Sequence, residues 1–155
     1  MIFQHKFIFQ PGEWIGQGKL LLSFSPEPVR FLTRWVIDIQ NQETQEITCK
    51  QVVERGGGIE LIINHYRISK ITSFSFDLEL TNESVGSVTG KGIIDADTIS
   101  WEFEKKIPYD GSDGFKGFEI YTLQPNGDYH VHAEYSSGKQ FQTKVEGRIW
   151  MHLAE

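Results

Sequence analysis

The feature that most constrains the fold is a repeated alternation of strand-like stretches, each about ten residues long, with short turn signals. In Phe74–Leu80, phenylalanine and leucine alternate with serine, aspartate and glutamate, which is the two-residue period of a strand with one buried face. The clearest turn signals are Ser25–Pro28, Gly56–Gly58 and Asn126–Gly127. Helical periodicity is nearly absent, so the pattern predicts an all-β protein with almost no helix.

The alternation predicts about ten strands, each bounded by turn residues. They cover residues 14–24, 29–39, 45–54, 59–68, 74–80, a stretch around Gly90–Gly92, 99–104, 118–122, 129–135 and 140–152. Because tight turns can join only antiparallel neighbours, these strands predict an antiparallel meander. Closure of the meander removes its exposed edges, so we expect a β-barrel. Composition is even along the chain, which predicts a single domain over residues 1–155.

Charge and composition exclude several classes of partner. The formal net charge is −6, from 15 lysines and arginines against 21 aspartates and glutamates, so nucleic acid is not an expected partner. No apolar run approaches the roughly 20 residues that a membrane-spanning helix needs, so membrane insertion is not expected. The single cysteine, Cys49, cannot form an internal disulfide, and the first residues do not resemble a signal peptide. We therefore expect a cytoplasmic protein.

A barrel of about ten strands leaves room for a ligand in its lumen, and we expect a small apolar or amphipathic one. In the fourth predicted strand, the apolar residues of 59–63 share their alternation with His65 and Arg67. These two side chains are therefore predicted to point inward and to hold the polar end of the ligand. The alternative is that both are solvated at the open end of the strand. Aromatic residues are expected to line the lumen, namely Trp35, Phe74, Phe76, Trp101, Phe103, Tyr129 and Tyr135.

Other polar clusters have ordinary interpretations. His130, His132 and Glu134 share one face of a strand with a spacing that could bind a divalent metal. The opposite face, which begins at Tyr129, is the apolar one, so we expect the histidines to be solvated and predict no metal site. Pro108–Gly114 reads as a loop of common turn residues.

No catalytic motif is present, and Cys49 has no identifiable base beside it, so the sequence predicts no catalytic residue. Two alternatives to a binding protein stay open. One is an enzyme of the isomerase or cyclase type that works in the lumen. For that enzyme, His65 is the residue expected to have a perturbed pKa. The other is a structural module that associates with itself as a homo-oligomer.

A tryptophan at the start of the first strand carries a family resemblance. Gly12-x-Trp14, together with Arg148 near the end of the last strand, resembles the kernel of the lipocalins, which belong to the calycin group. The resemblance implies that Arg148 packs over Trp14 at the closed end of the barrel. Ten strands without a disulfide are more similar to the fatty-acid-binding proteins and the nitrobindin-like haem barrels. Haem is thus an alternative ligand, for which the nearest histidine is His152; no other cofactor is expected.

Overall fold

The computed structural model describes residues 5–105, 114–137 and 141–153, so most of the loop predicted at Pro108–Gly114 lies outside the described residues. No residue within these ranges is helical, and none belongs to a helix that could cross a membrane. The described chain forms ten β-strands: β1 (Gly12–Leu22), β2 (Val29–Ile37), β3 (Ile47–Arg55), β4 (Glu60–Ser69), β5 (Ser75–Asn82), β6 (Gly86–Ile94), β7 (Thr98–Lys105), β8 (Phe115–Leu123), β9 (Tyr129–Ser137) and β10 (Phe141–His152).

The strands form one closed antiparallel barrel in which each strand pairs with its neighbours in sequence. Closure is made by β1 and β10, whose register runs from Glu13 opposite His152 to Leu22 opposite Thr143. Each of the ten described strands therefore has two hydrogen-bonded neighbours, and none of them forms a free edge of the sheet. The predicted all-β meander of ten strands is confirmed.

The alternation of buried and exposed residues gives each strand an inner and an outer face. In β2 the odd positions from Phe31 to Ile37 are buried, while the even positions are exposed. The same division holds for Phe76, Leu78 and Leu80 in β5, as the sequence pattern predicts. In β9 the buried set begins with Tyr129, Val131 and Ala133, so the predicted inner face of that strand is also confirmed. A core rich in aromatic side chains fills the lower part of the lumen, which is the part nearest the end of the barrel where β1 begins.

The predicted orientation of β4 is wrong. Its inner face is formed by the even positions, including Tyr66 and Ile68, whereas Ile59 is 90% exposed and Leu61 and Ile63 are also exposed. The neighbouring strands dictate this choice, since Tyr66 lies opposite the buried residues Cys49 in β3 and Leu80 in β5. Directly opposite residues lie on the same face of a sheet. His65 and Arg67 therefore lie on the outer face of the barrel.

The closed end of the barrel is filled by the segment that precedes β1. Phe7 is fully buried, and its ring centroid lies 4.9–5.6 Å from those of four core residues, Trp14, Trp35, Tyr121 and Tyr129. His5 is also buried; its Nδ1 lies 2.7 Å from the hydroxyl of Tyr129 and its Nε2 lies 2.7 Å from the carbonyl oxygen of Asp95. Trp14 was expected to close this end, and it does so together with the segment 5–9.

We expect Phe7→Ala to lower the free energy of unfolding by about 3–5 kcal/mol, because it removes a buried ring that four other rings contact. Phe74→Ala is the matched control, since the Phe74 side chain is 73% exposed, and its loss should change stability by less than about 0.5 kcal/mol. Urea denaturation followed by circular dichroism measures both. Equal effects of the two substitutions would contradict this description of the closed end.

Candidate functional site

A cavity of about 330 Å³ occupies the other half of the lumen. Its floor is formed by buried rings, among them Trp35, Tyr66 and Tyr121. At the opposite end the cavity is lined by Arg55, which forms an ion pair with Glu60 on the next strand. The cavity therefore lies between the aromatic core and the end of the barrel at which β3 turns into β4.

One wall of the cavity carries a chain of hydrogen-bonded polar side chains from four adjacent strands. The Asn82 amide donates to Asn64 (2.9 Å), the Asn64 amide donates to Gln51 (2.9 Å), and the Gln51 amide donates to Thr33 (3.0 Å). The oxygen of Asn82 accepts from the backbone N–H of Val85 (2.8 Å). Four buried or half-buried polar side chains are thus partnered within the wall, as polar groups withdrawn from water require.

A second wall is apolar, and part of it depends on two glycines. Gly18 of β1 lies opposite Gly147 of β10, and the ring of Phe31 lies over the pair. A Cβ atom on Gly18 would come within 2.7 Å of Phe31 Cε1, and one on Gly147 within 3.1 Å of Phe31 Cζ. The missing side chains let the phenyl ring sit against the strand backbones, where it lines the cavity with Leu20 and Val145.

A third wall contains a buried carboxylate, Glu119 of β8, which is only 3% exposed. The Tyr121 hydroxyl donates to its Oε1 at 2.6 Å, and the Tyr66 hydroxyl contacts its Oε2 at a longer 3.5 Å. Among the described residues, no lysine, arginine or histidine forms an ion pair with Glu119. Glu119 is therefore a buried acid without a cationic partner in the part of the chain described.

The environment of Glu119 favours its neutral form. Burial raises the pKa of the carboxyl above its usual range, and hydrogen bonding to Tyr121 opposes part of the rise. The indole N–H of Trp101 and the hydroxyls of Tyr135 and Tyr66 also oppose it, although the Trp101 N–H meets no acceptor with hydrogen-bonding geometry among the described residues. Burial raises the pKa values of Tyr66, Tyr121 and Tyr135 well above 10, so these phenols remain neutral donors. The site thus combines a titratable acid with hydroxyl groups that do not ionise near neutral pH.

The aromatic residues that the sequence assigned to the lumen lie in three different places: the cavity wall, the buried core and the protein surface. Trp35 and Tyr135 line the cavity. Phe76, Trp101 and Tyr129 point inward but are packed into the aromatic core, and Phe103 is buried beside the stacked rings of Phe115 and Tyr135. Phe74 lies just before β5 and is exposed, because β5 begins at Ser75 and its inner face begins at Phe76.

The polar residues that the sequence assigned to the lumen lie elsewhere. Arg67 Nη2 pairs with Glu79 on the outer face at 3.0 Å, and His65 is exposed on the same side of the sheet. Glu119, Gln51 and Asn64 are instead the polar residues that line the cavity, where the sequence predicted His65 and Arg67. Sequence alternation could have indicated Glu119, since it shares its parity with Phe115, Gly117 and Tyr121, but Phe118 and Ile120 give the opposite face an equally apolar pattern.

Arg148 does not contact Trp14 as the lipocalin resemblance implies. Trp14 lies opposite Met151 and faces inward, whereas Arg148 lies opposite Gln17 and faces outward. The Arg148 guanidinium is instead placed 4.6 Å from the ring centroid of Trp150 on the outer surface. The two side chains therefore lie on opposite faces of the barrel wall, with Trp14 inside and Arg148 outside.

The histidines of β9 lie on the outer face, as expected. His130 Nε2 lies 3.1 Å from Glu146, and His132 lies between Glu134, at 2.9 Å, and Glu146. The hydrogen bond to Glu134, and to a smaller extent the one to Glu146, raises the pKa of His132. The described part of the chain contains no group of three or more histidine, cysteine, aspartate or glutamate side chains that could hold a metal ion.

The cavity does not match the histidine ligation expected for haem. Of the chain's five histidines, His5 is bonded to Tyr129 and Asp95 at the closed end, and none of the five lines the cavity. Cys49 is a buried free thiol whose pKa is raised by burial, as expected for a small core residue rather than a nucleophile.

We expect Glu119→Gln to stabilise the protein relative to the wild type as the pH rises. The folded-state pKa of Glu119 is raised, so the protonated acid contributes stability at low pH, and this contribution is lost as the pH rises through the folded-state pKa. Glutamine does not titrate, so the difference should grow from about pH 4.3 upward. Urea denaturation across a pH series measures it, with the exposed-face variant Glu102→Gln as the control. A difference independent of pH would contradict the prediction.

Comparison with known proteins supports the fold. No protein-family model matches the chain, and no curated protein is significantly similar in sequence. Among solved structures, the chain is similar to the S-type phycobiliprotein lyase CPES from Guillardia theta, with a TM-score of 0.64 and 10% sequence identity. The likeness covers 94% of this chain and 90% of that chain. At this identity it concerns the fold alone, and together with the closed ten-stranded meander it supports a calycin-like barrel.

Proposed function

We propose that the protein binds a small, partly apolar molecule in the lumen of its barrel. The observation that carries the proposal is the cavity of about 330 Å³ above the aromatic core, with apolar walls and polar groups concentrated at two places. Ligand sites in proteins typically have this composition, and the volume lies at the lower end of their usual range. A ligand of modest size, with polar groups at defined positions, fits this arrangement.

The polar end of the ligand belongs at Glu119 and at the amide chain of Gln51 and Asn64 in this proposal, rather than at His65 and Arg67. The aromatic contacts are supplied by residues that line the cavity, such as Trp35, Tyr66 and Tyr135. A reducing, cytoplasmic setting is part of the proposal, since Cys49 is a buried free thiol.

An enzyme acting inside the lumen is the second candidate. The similar structure is named as a phycobiliprotein lyase, so a barrel of this architecture can belong to an enzyme. The specific observation in its favour is Glu119, because a buried carboxyl with a raised pKa is suited to general acid–base chemistry. In this candidate function, Glu119 takes the role that sequence reasoning gave to His65.

Self-association is a third candidate, supported by the outer surface rather than the lumen. Leu32 of β2 and Leu61 and Ile63 of β4 are exposed apolar side chains on the outside of the barrel. Analytical ultracentrifugation of the wild type against Leu61→Ser tests this role directly. The cavity favours ligand binding as the principal function.

We expect the uncharged dye Nile red to bind the wild-type protein saturably and Ala133→Phe to weaken that binding at least about tenfold. Ala133 is a buried residue of the cavity wall and is the cross-strand neighbour of Glu119, so a phenyl ring at position 133 occupies the ligand's space. Ser136→Phe adds the same ring to the outer face of β9 and should leave binding unchanged. Fluorescence titration is the measurement, with circular dichroism to check that both variants fold. Equal binding by Ala133→Phe and the wild type would refute a lumen site.

A further inference from the structure

The buried carboxylate of Glu119 has unused hydrogen-bonding capacity toward the cavity. Its Oε1 accepts the Tyr121 hydroxyl at 2.6 Å, whereas the Tyr66 hydroxyl lies 3.5 Å from Oε2, well beyond the usual distance for such a bond. The Tyr135 hydroxyl and the Trp101 indole N–H also face the carboxylate, but neither makes a hydrogen bond of normal geometry with it among the described residues. An ionised carboxylate can accept about four hydrogen bonds. Glu119 lines the cavity, so a ligand that enters can supply the missing donors.

The surroundings of Glu119 are aromatic rather than cationic. The ring centroids of Trp101 and Tyr121 are 4.8 Å apart, those of Trp35 and Tyr66 are 5.0 Å apart, and those of Tyr66 and Trp101 are 6.0 Å apart. The faces of aromatic rings attract organic cations, most strongly where water is excluded. No described cationic side chain forms an ion pair with the carboxylate, and the rings of Tyr66 and Tyr121 line the cavity beside it, so its negative charge is left for a ligand in aromatic surroundings.

From this geometry we infer that the ligand carries a cationic nitrogen, such as a primary amine on an aromatic or apolar body, and that Glu119 pairs with that nitrogen. The inference rests on the proposed function and names the ligand class for the same cavity. An ammonium group donates three hydrogen bonds and compensates the charge that burial makes costly. The apolar body then lies along Phe31, Val53 and Val145, farther up the cavity.

The groups that face this site set its expected dependence on pH. Tyr66 of β4, Tyr121 of β8 and Tyr135 of β9 stay neutral up to high pH because burial raises their pKa values. Arg55 and Glu60 at the outer end of the cavity pair with each other. Glu119 is thus the acid that should govern binding between acidic and neutral pH. Amine affinity should increase as the pH rises and the carboxyl ionises.

A series of three ligands with one common ring system tests the inference. Tryptamine, tryptophol and indole-3-propionate place an ammonium, a hydroxyl or a carboxylate on the same indole. At pH 7, calorimetric titration should show tryptamine binding at least about tenfold more tightly than tryptophol, because hydrogen bonds to charged groups are worth about a factor of ten or more. Indole-3-propionate should bind most weakly of the three.

Two variants that remove one negative charge separate the role of Glu119 from that of the overall charge. Glu119→Gln should abolish the preference for tryptamine over tryptophol and its rise with pH, with circular dichroism to check that the variant folds. Glu102→Gln removes a charge from the exposed face of β7 and should keep the preference. If Glu119→Gln fails to fold, the order of the three ligands and the wild-type pH profile remain as the test.

The outcomes distinguish the inference from the proposed function. A protein that binds Nile red in the lumen without preferring tryptamine retains the proposed function and overturns the inference. Preferential binding of indole-3-propionate also overturns it, since Glu119 would then act as a neutral acid toward an anionic ligand. A protein that binds neither Nile red nor any of the three indoles contradicts both. Loss of the tryptamine preference in Glu119→Gln, with the preference retained in Glu102→Gln, supports the inference.

Discussion

The pairing of β1 with β10 is the constraint on which the rest of the structure depends. Once the two end strands are hydrogen-bonded, every strand has two neighbours, and the register of each fixes which of its side chains face the lumen. Trp14 and Met151 then lie inside, while Gln17 and Arg148 lie outside. The wall is held by its backbone, which lets the inner face carry a buried acid and several amides in addition to apolar groups.

The lumen is divided along its length between stability and binding. The part nearest the closed end is filled with buried aromatic side chains, in which the ring centroid of Phe7 lies 5.2 Å from that of Trp35. The upper part is less densely filled and contains the polar residues Glu119, Gln51 and Asn64. Buried polar groups cost stability unless they are partnered, and a protein keeps them where they have a further role. The dense aromatic half supplies the stability that allows the other half to remain open.

Sequence reasoning predicts the architecture well and the site poorly, for physical reasons that differ between strands. In β5 and β9 only one parity is apolar, and in β2 the arginines at 30 and 34 mark the outer parity, so alternation alone identifies the inner face. In β4 both parities contain aliphatic residues, and the choice depends on Tyr66 lying opposite Cys49 and Leu80, which only the register reveals. Glu119 was missed for the same reason, because Phe118 and Ile120 give β8 a second apolar face. Local patterns determine strands, whereas pairing across the barrel determines the site.

The three walls of the cavity differ in chemistry, and this difference has a geometric consequence. One wall presents the amide chain from Thr33 to Asn82, the second is apolar around Phe31, and the third carries Glu119 with its phenols. A chiral molecule with three different groups that match the three walls can place all of them at once in one enantiomer, whereas its mirror image leaves at least one group unmatched. The barrel therefore has what is needed to distinguish a chiral ligand from its mirror image, a property that none of the walls has alone.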